Sequence, residues 1–404
     1  MSVIGIGGVG CSLLDVLYPD ATIESATFDR YASRTPGDGG LAPGKLVFAE
    51  HLESFSGVSL EQIQQEVGGA TAPAQNLGGP AVVPLVHAAQ VLAPLGIPVR
   101  FAGFYGDDEY GAVVTDIVGR TPLLTGDYRR RPGATPHTIV LSDPTAANGA
   151  GERTFVNRIG VAGEYRVADI PREILDQEIV YFGGTALVPA LHAELGAALR
   201  EVRRRGGLTI VATVYDFLNE SRAPDQLWPL GDGQRDYPLI DLLIVDREEA
   251  RRLTGEDQPA AALARFAEWG AGAAVVTDGG APIHFRADRG RFAACPTGTL
   301  PVSAEVGRRA GEVPPSERDT TGCGDNFAGG VLADIAMQMA ATGSGVSPAA
   351  PLLDLRAAVM RGVASGAAAW FYLGGTWIEQ HPGEKAEMVD RFYRAYLEQL
   401  QASG

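Results

Sequence analysis

The segment Asp319–Gly330, DTTGCGDNFAGG, concentrates residue types that can handle an anion. Gly322, Cys323 and Gly324 stand directly before an apolar helical run, FAGGVLADIAMQMA. Two glycines at a helix N-terminus let successive N–H groups turn into one concavity, where the positive end of the helix dipole also lies. Asp325 sits at the mouth of that concavity. Beside a bound phosphate a carboxylate does not help binding, because like charges repel. It makes sense as a base that takes a proton from an attacking hydroxyl. Spacing alone equally allows Asp325 to be an N-cap after a tight turn. Two other glycine clusters are weaker. GIGGVG, Gly5–Gly10, has G-x-G-x-x-G spacing with Asp29 further on, but CSLLDVLYPD reaches a proline too early for the helix of a dinucleotide fingerprint. A plain strand-to-loop turn is expected there. GGLAPGK, Gly39–Lys45, has P-loop spacing, yet Leu46 stands where Ser or Thr would hold magnesium and VFAE follows instead of a helix.

These residues need a frame, and the chain supplies an alternating one. Val3–Ile6, Val99–Ala102, Ile179–Phe182, Thr209–Val214, Leu242–Val245 and Ala273–Thr277 are short β-rich runs predicted to be buried strands. Helical periodicity lies between them. In Leu187–Arg205, Leu191, Leu195, Leu199 and Val202 share a face, Arg203–Arg205 suit the C-terminal end of the dipole, and Gly206 stops the run. The alternation predicts an α/β fold with a mostly parallel central sheet and helices on both faces. Two stretches break it. Residues 18–60 are rich in Pro, Gly and Thr, and residues 126–165 carry the alternating HTIVLSD and ERTFVNRIG around a loop with Asn148, Gly149 and Gly151. Together they predict a small antiparallel sheet inserted into the core.

Of 404 residues, 45% are hydrophobic and 20% charged, enough for a large core. The formal charge of −16 repels nucleic acid and anionic membranes over most of the surface, so neither is expected as a partner. Cys11, Cys295 and Cys323 are too far apart for a disulfide framework, and no basic leader or long apolar span is seen. A cytoplasmic protein is expected. Lysine occurs only at positions 45 and 385, so the chemistry must do without a supply of lysines.

DTTGCGD resembles the second signature of the ribokinase/PfkB family of carbohydrate and nucleoside kinases, and further features of that family recur in order along nearly the whole chain. Asp15 after the first strand and glycines resembles the substrate aspartate, and Gly78-Gly79 the double-glycine substrate turn. GFYGDDEYG (Gly103–Gly111) resembles the first signature and GERTFVNRIG (Gly151–Gly160) a strand of the β-lid. IVDREEARRLTG (Ile244–Gly255) resembles the N-x-x-E magnesium and phosphate motif, and VVTDGG (Val275–Gly280) the turn along the nucleotide. The resemblance implies a ribokinase-like sandwich in one domain over 1–404, with a lid built from inserted segments at about 16–65 and 126–165. It implies ATP-dependent, magnesium-dependent phosphorylation of a hydroxyl on a sugar or sugar derivative. A nucleoside acceptor and a non-catalytic sugar-sensing relative are the alternatives. Asp325 would be the base, with the backbone of Gly322, Cys323 and Gly324 as anion hole. Asp15, Gly78 and Gly79 would hold the acceptor, Thr277, Gly279, Thr320 and Asp246 the nucleotide, and Glu249 with Asp246 the magnesium, through water. A monovalent cation such as K+ and a homodimer formed through the lid are left open by the resemblance.

The departures bear on the acceptor. Val83 stands where the family has asparagine after its double glycine, with Asn76 just upstream, and Asp246 replaces the asparagine of the magnesium motif. VYDF stands where D-x-N-x-R is expected. His137, Arg153 and Arg158 fall in the lid segment. An exposed histidine and two solvated arginines are the plainer expectation, and contact with substrate is the other. Phe55, Phe155 and Tyr165 are the lid aromatics that would stack on a nucleobase, and Trp370–Tyr372 are expected in the core.

Overall fold

The computed structural model describes residues 4–23, 25–35, 37–143, 145–146, 152–312, 320–342 and 351–403. The first glycine cluster is itself a strand, not the turn after one. Ile6–Gly10 (β1) runs through the middle of a nine-stranded sheet. Its glycines have a packing reason. A Cβ on Gly7 would come 2.8 Å from the Ile174 carbonyl on one face, and one on Gly8 would collide with Leu85 on the other. Bare backbone lets helices approach from both sides.

The other strands are Leu13–Tyr18 (β2), Leu46–Phe48 (β3), Ala74–Gly78 (β4), Val99–Tyr105 (β5), Leu124–Arg130 (β6), His137–Asp143 (β7), Glu152–Arg158 (β8), Ile179–Gly183 (β9), Leu208–Ala212 (β10), Leu242–Asp246 (β11), Ala273–Thr277 (β12), Ile283–Ala287 (β13) and Cys295–Leu300 (β14). The large sheet has the order β14-β13-β12-β11-β10-β9-β1-β5-β6. It is parallel from β6 to β12, and β13 and β14 are added antiparallel. Helices of eight or more residues are Ala49–Ser56 (α1), Leu60–Val67 (α2), Val82–Leu92 (α3), Glu109–Gly119 (α4), Leu195–Arg205 (α5), Arg247–Thr254 (α6), Pro259–Trp269 (α7), Cys323–Thr342 (α8), Leu355–Ala369 (α9) and Glu384–Ser403 (α10). One core lies under α3, α8 and α9, and a second lies under α5, α6 and α7 on the opposite face. This is the ribokinase-like α/β architecture, with a separate, smaller sheet beside it.

That smaller sheet is mixed, not antiparallel as expected. Its order is β3-β8-β7-β2-β4, with β2 parallel to β7 and β3 parallel to β8. Past β2 the segment 16–65 adds only the short β3 to the sheet and otherwise alternates loop with helix, including α1 and the start of α2. Leu60, Ile63 and Val67 bury one face of α2, and the Ser59 hydroxyl caps it by accepting the Gln62 N–H at 3.3 Å. From the other segment, residues 126–130 belong to β6 on the edge of the large sheet, and only β7 and β8 enter the small one. The loop with Asn148, Gly149 and Gly151 lies outside the described residues. The segment Gly103–Gly111 ties the two sheets together. Asp108 caps α4 through the Gly111 N–H (3.0 Å) and holds Thr135, just before β7, at its N–H (2.9 Å) and hydroxyl (2.5 Å).

Candidate active site

In the large sheet β1 has β5 on one side and β9 on the other, so the chain reverses its direction of travel across the sheet beside β1. Open parallel sheets leave a crevice at the carboxyl ends of the strands at such a point. Gly10, Gly183, Ala212, Asp246 and Thr277 end their strands along this edge.

The glycine loop at the start of α8 lies there. Gly322 has φ +77, and a Cβ on it would collide with Gly375 Cα, so the two backbones touch. Asn326 pins the contact: its Nδ2 donates to the Gly322 carbonyl at 2.8 Å and to the Gly375 carbonyl at 2.9 Å. A Cβ on Gly324 would meet nothing within 4 Å. The Cys323 N–H donates to the Thr320 carbonyl at 3.2 Å, a bond that must open or be shared if this N–H is to face an anion. Asp319 lies outside the described residues. Asp325 is in the first turn of α8, and loss of hydration pushes its carboxyl up to about 6.

Asp15 sits on β2, opposite Asn76 of β4 and Thr138 of β7. A Cβ on Gly78 would collide with Asp15 Oδ2, so the carboxylate lies against bare backbone. Gly79, with φ +111, turns the chain past Cys11, and a Cβ there would be 2.7 Å from the Cys11 carbonyl. Burial pushes the Cys11 thiol far up, and the charges of Asp325 and Asp15 add to it. Both carboxylates are therefore near enough for their charge to be felt at the same buried thiol.

On the far side Asp246 and Thr277 are register partners at the ends of β11 and β12. Thr277 Oγ1 donates to the Val245 carbonyl at 3.4 Å, and Gly279 (φ +53) opens onto free space. Asp246 and Glu249 form a capping box at the start of α6. The Glu249 N–H donates to Asp246 Oδ1 (2.7 Å), the Asp246 N–H to Glu249 Oε2 (3.0 Å), and the Thr213 hydroxyl to the same Oε2 (2.5 Å). Burial pushes Glu249 up to about 8, with Asp246 and then Asp325 adding to it. Asp246 is also raised by burial. Acids held above their ordinary range gain if a cation arrives. The donors are hard oxygens from two side chains, and no cluster of three or more metal-binding side chains occurs among the described residues. That set suits magnesium, which keeps several waters and shares phosphate oxygens.

The structure also accounts for the departures. Val83 is 1% exposed and packs under Gly375, so it is core. Asn76 does not stand in for an amide at that position: its Nδ2 donates to the carbonyls of Leu373 (3.0 Å) and Thr376 (3.1 Å). His137 is not exposed but buried, with Nδ1 2.8 Å from the Thr135 carbonyl. Arg158 is not solvated; it pairs with Glu53 (2.8 Å) and Glu50 (3.3 Å) on α1. Arg153 reaches across from β8 to the Thr321 hydroxyl at 3.1 Å, beside the glycine loop. Tyr165 is buried against Phe104 and cannot stack on a ligand, whereas Phe55 and Phe155 stay half-buried. Sequence reasoning missed Thr213, Asn326 and the Leu373–Thr376 loop. Only the Gly374-Gly375 pair, just past a helix, signalled the last of these.

Fold, crevice and glycine loop together define a phosphotransferase, a kinase of the ribokinase fold. The chain belongs to the pfkB family of carbohydrate kinases, whose family model matches residues 87–377, more than half of its length. Asp15, Gly78 and Gly79 precede that span and rest on geometry. Adenosine kinase from Schistosoma mansoni in complex with 2-fluoroadenosine has a similar structure, with TM-score 0.66, 16% identity, and coverage of 93% of this chain and 98% of that one. Ribokinase from Thermotoga maritima gives 0.61 and 16%, over 97% and 99%. A probable sugar kinase from Rhizobium etli gives 0.65 and 16%, over 97% and 100%. At this identity the likeness is one of fold. No helix among the described residues is long and apolar enough to cross a membrane.

Proposed function

We propose that this kinase transfers the γ-phosphoryl group of ATP to a hydroxyl of a sugar or sugar derivative. The observation that supports the reading is a buried carboxylate, Asp325, in the first turn behind a glycine loop, with a second, Asp15, packed against Gly78 and both charges felt at Cys11. One carboxylate would hold acceptor hydroxyls. The other would take the proton of the attacking hydroxyl as its oxygen bonds to phosphorus and the bond to ADP breaks. Gly78 and Gly79 bring backbone close to the acceptor, and Gly322–Gly324 face the charge of the transferring group. Thr277, Gly279, Thr320 and Asp246 line the nucleotide side. Glu249 and Asp246 would hold magnesium through water, and magnesium when bound neutralises phosphate charge. The small sheet, latched to the loop by Arg153 and Thr321, serves as the lid that excludes water.

The half-buried Phe155 on β8 favours a second reading, a nucleoside acceptor whose base stacks there; the likeness to adenosine kinases is compatible with it. The test is ADP release from MgATP over sugars, sugar acids, polyols and nucleosides, with Asp325→Asn alongside. One acceptor is expected to drive turnover, and the variant to lose it by about a hundredfold or more, the scale of a general base. Acceptors that bind without any ADP release would overturn the reading and leave a sugar-sensing relative.

A further inference from the structure

Lys385 is one of two lysines in the chain, and it is 1% exposed, on α10 behind the glycine loop. Its Nζ donates to the Tyr372 hydroxyl at 2.5 Å and to Asn326 Oδ1 at 3.3 Å. It also lies over the Tyr372 ring, 4.3 Å from the centroid. Asn326 Oδ1 accepts the Tyr372 O–H at 2.8 Å and lies 2.7 Å from His87 Nδ1, whose Nε2 meets the Ser365 hydroxyl at 2.9 Å. The other end of the Asn326 amide holds the carbonyls of Gly322 and Gly375. One side chain thus bridges a buried ammonium and the glycine loop. The same Leu373–Thr376 loop is tied through Asn76 to β4, which ends at Gly78. Burying an ammonium is costly, and packing alone needs no charge there. Among the described residues no carboxylate lies within ion-pair distance of Nζ.

We propose that Lys385 is a positioning residue for phosphoryl transfer: through Asn326 it orients Gly322 and the Leu373–Thr376 loop, and from behind it sets a positive charge under the phosphate cradle. This rests on the kinase reading above. The groups facing the ammonium are His87 from α3, Cys323 and Asn326 from α8, and Tyr372, Trp377 and Glu379 from the segment between α9 and α10; Arg361 of α9 faces His87. Burial pulls Lys385 down to about 7, against Glu379 and Cys323, which push it up. Burial, then the Lys385 charge, holds His87 far below its ordinary value, so it stays neutral. The positive charge is therefore full below about 7 and is lost as pH rises through that value. An anion in the loop raises the value and keeps the charge in place.

With two lysines, 13Cε-lysine NMR gives two resonances, and Lys385→Met assigns them. The Lys385 titration is expected to move up by about one pH unit on adding MgATP, the scale of one nearby charge. Lys385→Met is expected to lower kcat about tenfold, less than direct loss of a donor to the transition state. Acceptor KM should hold, nucleotide Kd should weaken by up to about tenfold below pH 7, as a one-unit shift on MgATP binding requires, and the alkaline fall of kcat should vanish. The melting temperature should also hold, because Asn326, Tyr372 and His87 stay bonded to one another and an apolar isostere replaces a buried ion without loss. Tyr372→Phe, which keeps the ring, should shift the Lys385 titration with a smaller loss of kcat. A titration indifferent to MgATP overturns the proposal, whether kcat is kept or falls together with the melting temperature. If the wild type turns over no acceptor, the kinase reading fails, and the response of Lys385 to MgATP still decides whether it answers a phosphate in the loop.

Discussion

Two glycines of the same loop should respond to a single methyl group in opposite ways. At Gly322 the backbone is left-handed, φ +77, and an added Cβ runs into Gly375 Cα, a backbone atom that cannot swing aside. The left-handed conformation costs a residue with a Cβ about 1–2 kcal/mol. Overpacking adds about 1–3 kcal/mol, and the stiffer unfolded chain returns about 0.4–1 kcal/mol. Gly322→Ala should therefore destabilise the fold by about 2–4 kcal/mol. With an unfolding entropy of about 2.1 cal/mol/K per residue over 404 residues, that lowers the melting temperature by about 2–5 °C. At Gly324 the backbone is not left-handed, and a Cβ meets nothing within 4 Å. Gly324→Ala should melt within about 0.5 kcal/mol of the wild type. The open space at Gly324 is the space proposed for phosphate, so this variant should lose about a hundredfold in turnover from misplacement alone. Thermal melting and single-turnover ADP release on both variants separate the cases. A Gly322→Ala protein that melts like the wild type would refute the close approach to Gly375. Wild-type turnover in Gly324→Ala would refute the position of the phosphate.

Asp325 carries a folded-state value of about 6, above the 3.8 of a free aspartate, so the native state binds protons more tightly and loses stability as pH rises between those values. Asp325→Asn should then stabilise the fold at pH 8 by on the order of 1–3 kcal/mol, seen as a higher melting temperature, and the gain should vanish toward pH 4. In the wild type kcat/KM should climb through about pH 6 as the base ionises. Glu249→Gln keeps an oxygen to accept the Asp246 N–H; with Glu249 raised to about 8, the variant should melt like the wild type near pH 4 and higher than it above that, while its magnesium requirement rises about tenfold or more. Glu249→Ala should lose that too and about 1 kcal/mol of cap stability. Magnesium titrations of turnover, with melting curves, check both.

Local signals decided how much of the fold was legible. Ala273–Thr277 stands where the pattern puts it, and Leu191, Leu195, Leu199 and Val202 are all buried, but the expected single run is broken at Glu194 into the short helix Pro189–Ala193 and α5. β1 was displaced because its glycines look like a turn when read alone. Their lack of side chains answers helices that arrive from distant parts of the chain. The strand directions of the small sheet were misread for a related reason. Parallel pairing of β2 with β7 joins residues more than a hundred positions apart, and alternation within a strand does not say which way its neighbour runs.

The site divides along the same line. Glycines before a helix, and an acid three residues after another, are local patterns, so the loop at Gly322 and the pair Asp246 and Glu249 could be singled out in the sequence, the pair through its resemblance to a family motif; that the two acids form a capping box comes from the structure. What fixes them is not local. Asn326 looks like one more helix residue until its amide is seen to join Gly322 to Gly375, and Asn76 and Val83 only acquire their tasks from the loop that packs on them. The altered Val83 position therefore has a structural partner at Gly375. Restoring an amide there with Val83→Asn should not improve acceptor binding. It would bury an unpaired polar group beneath Gly375 at a cost of about 1–3 kcal/mol, seen as a lower melting temperature with no gain in acceptor KM.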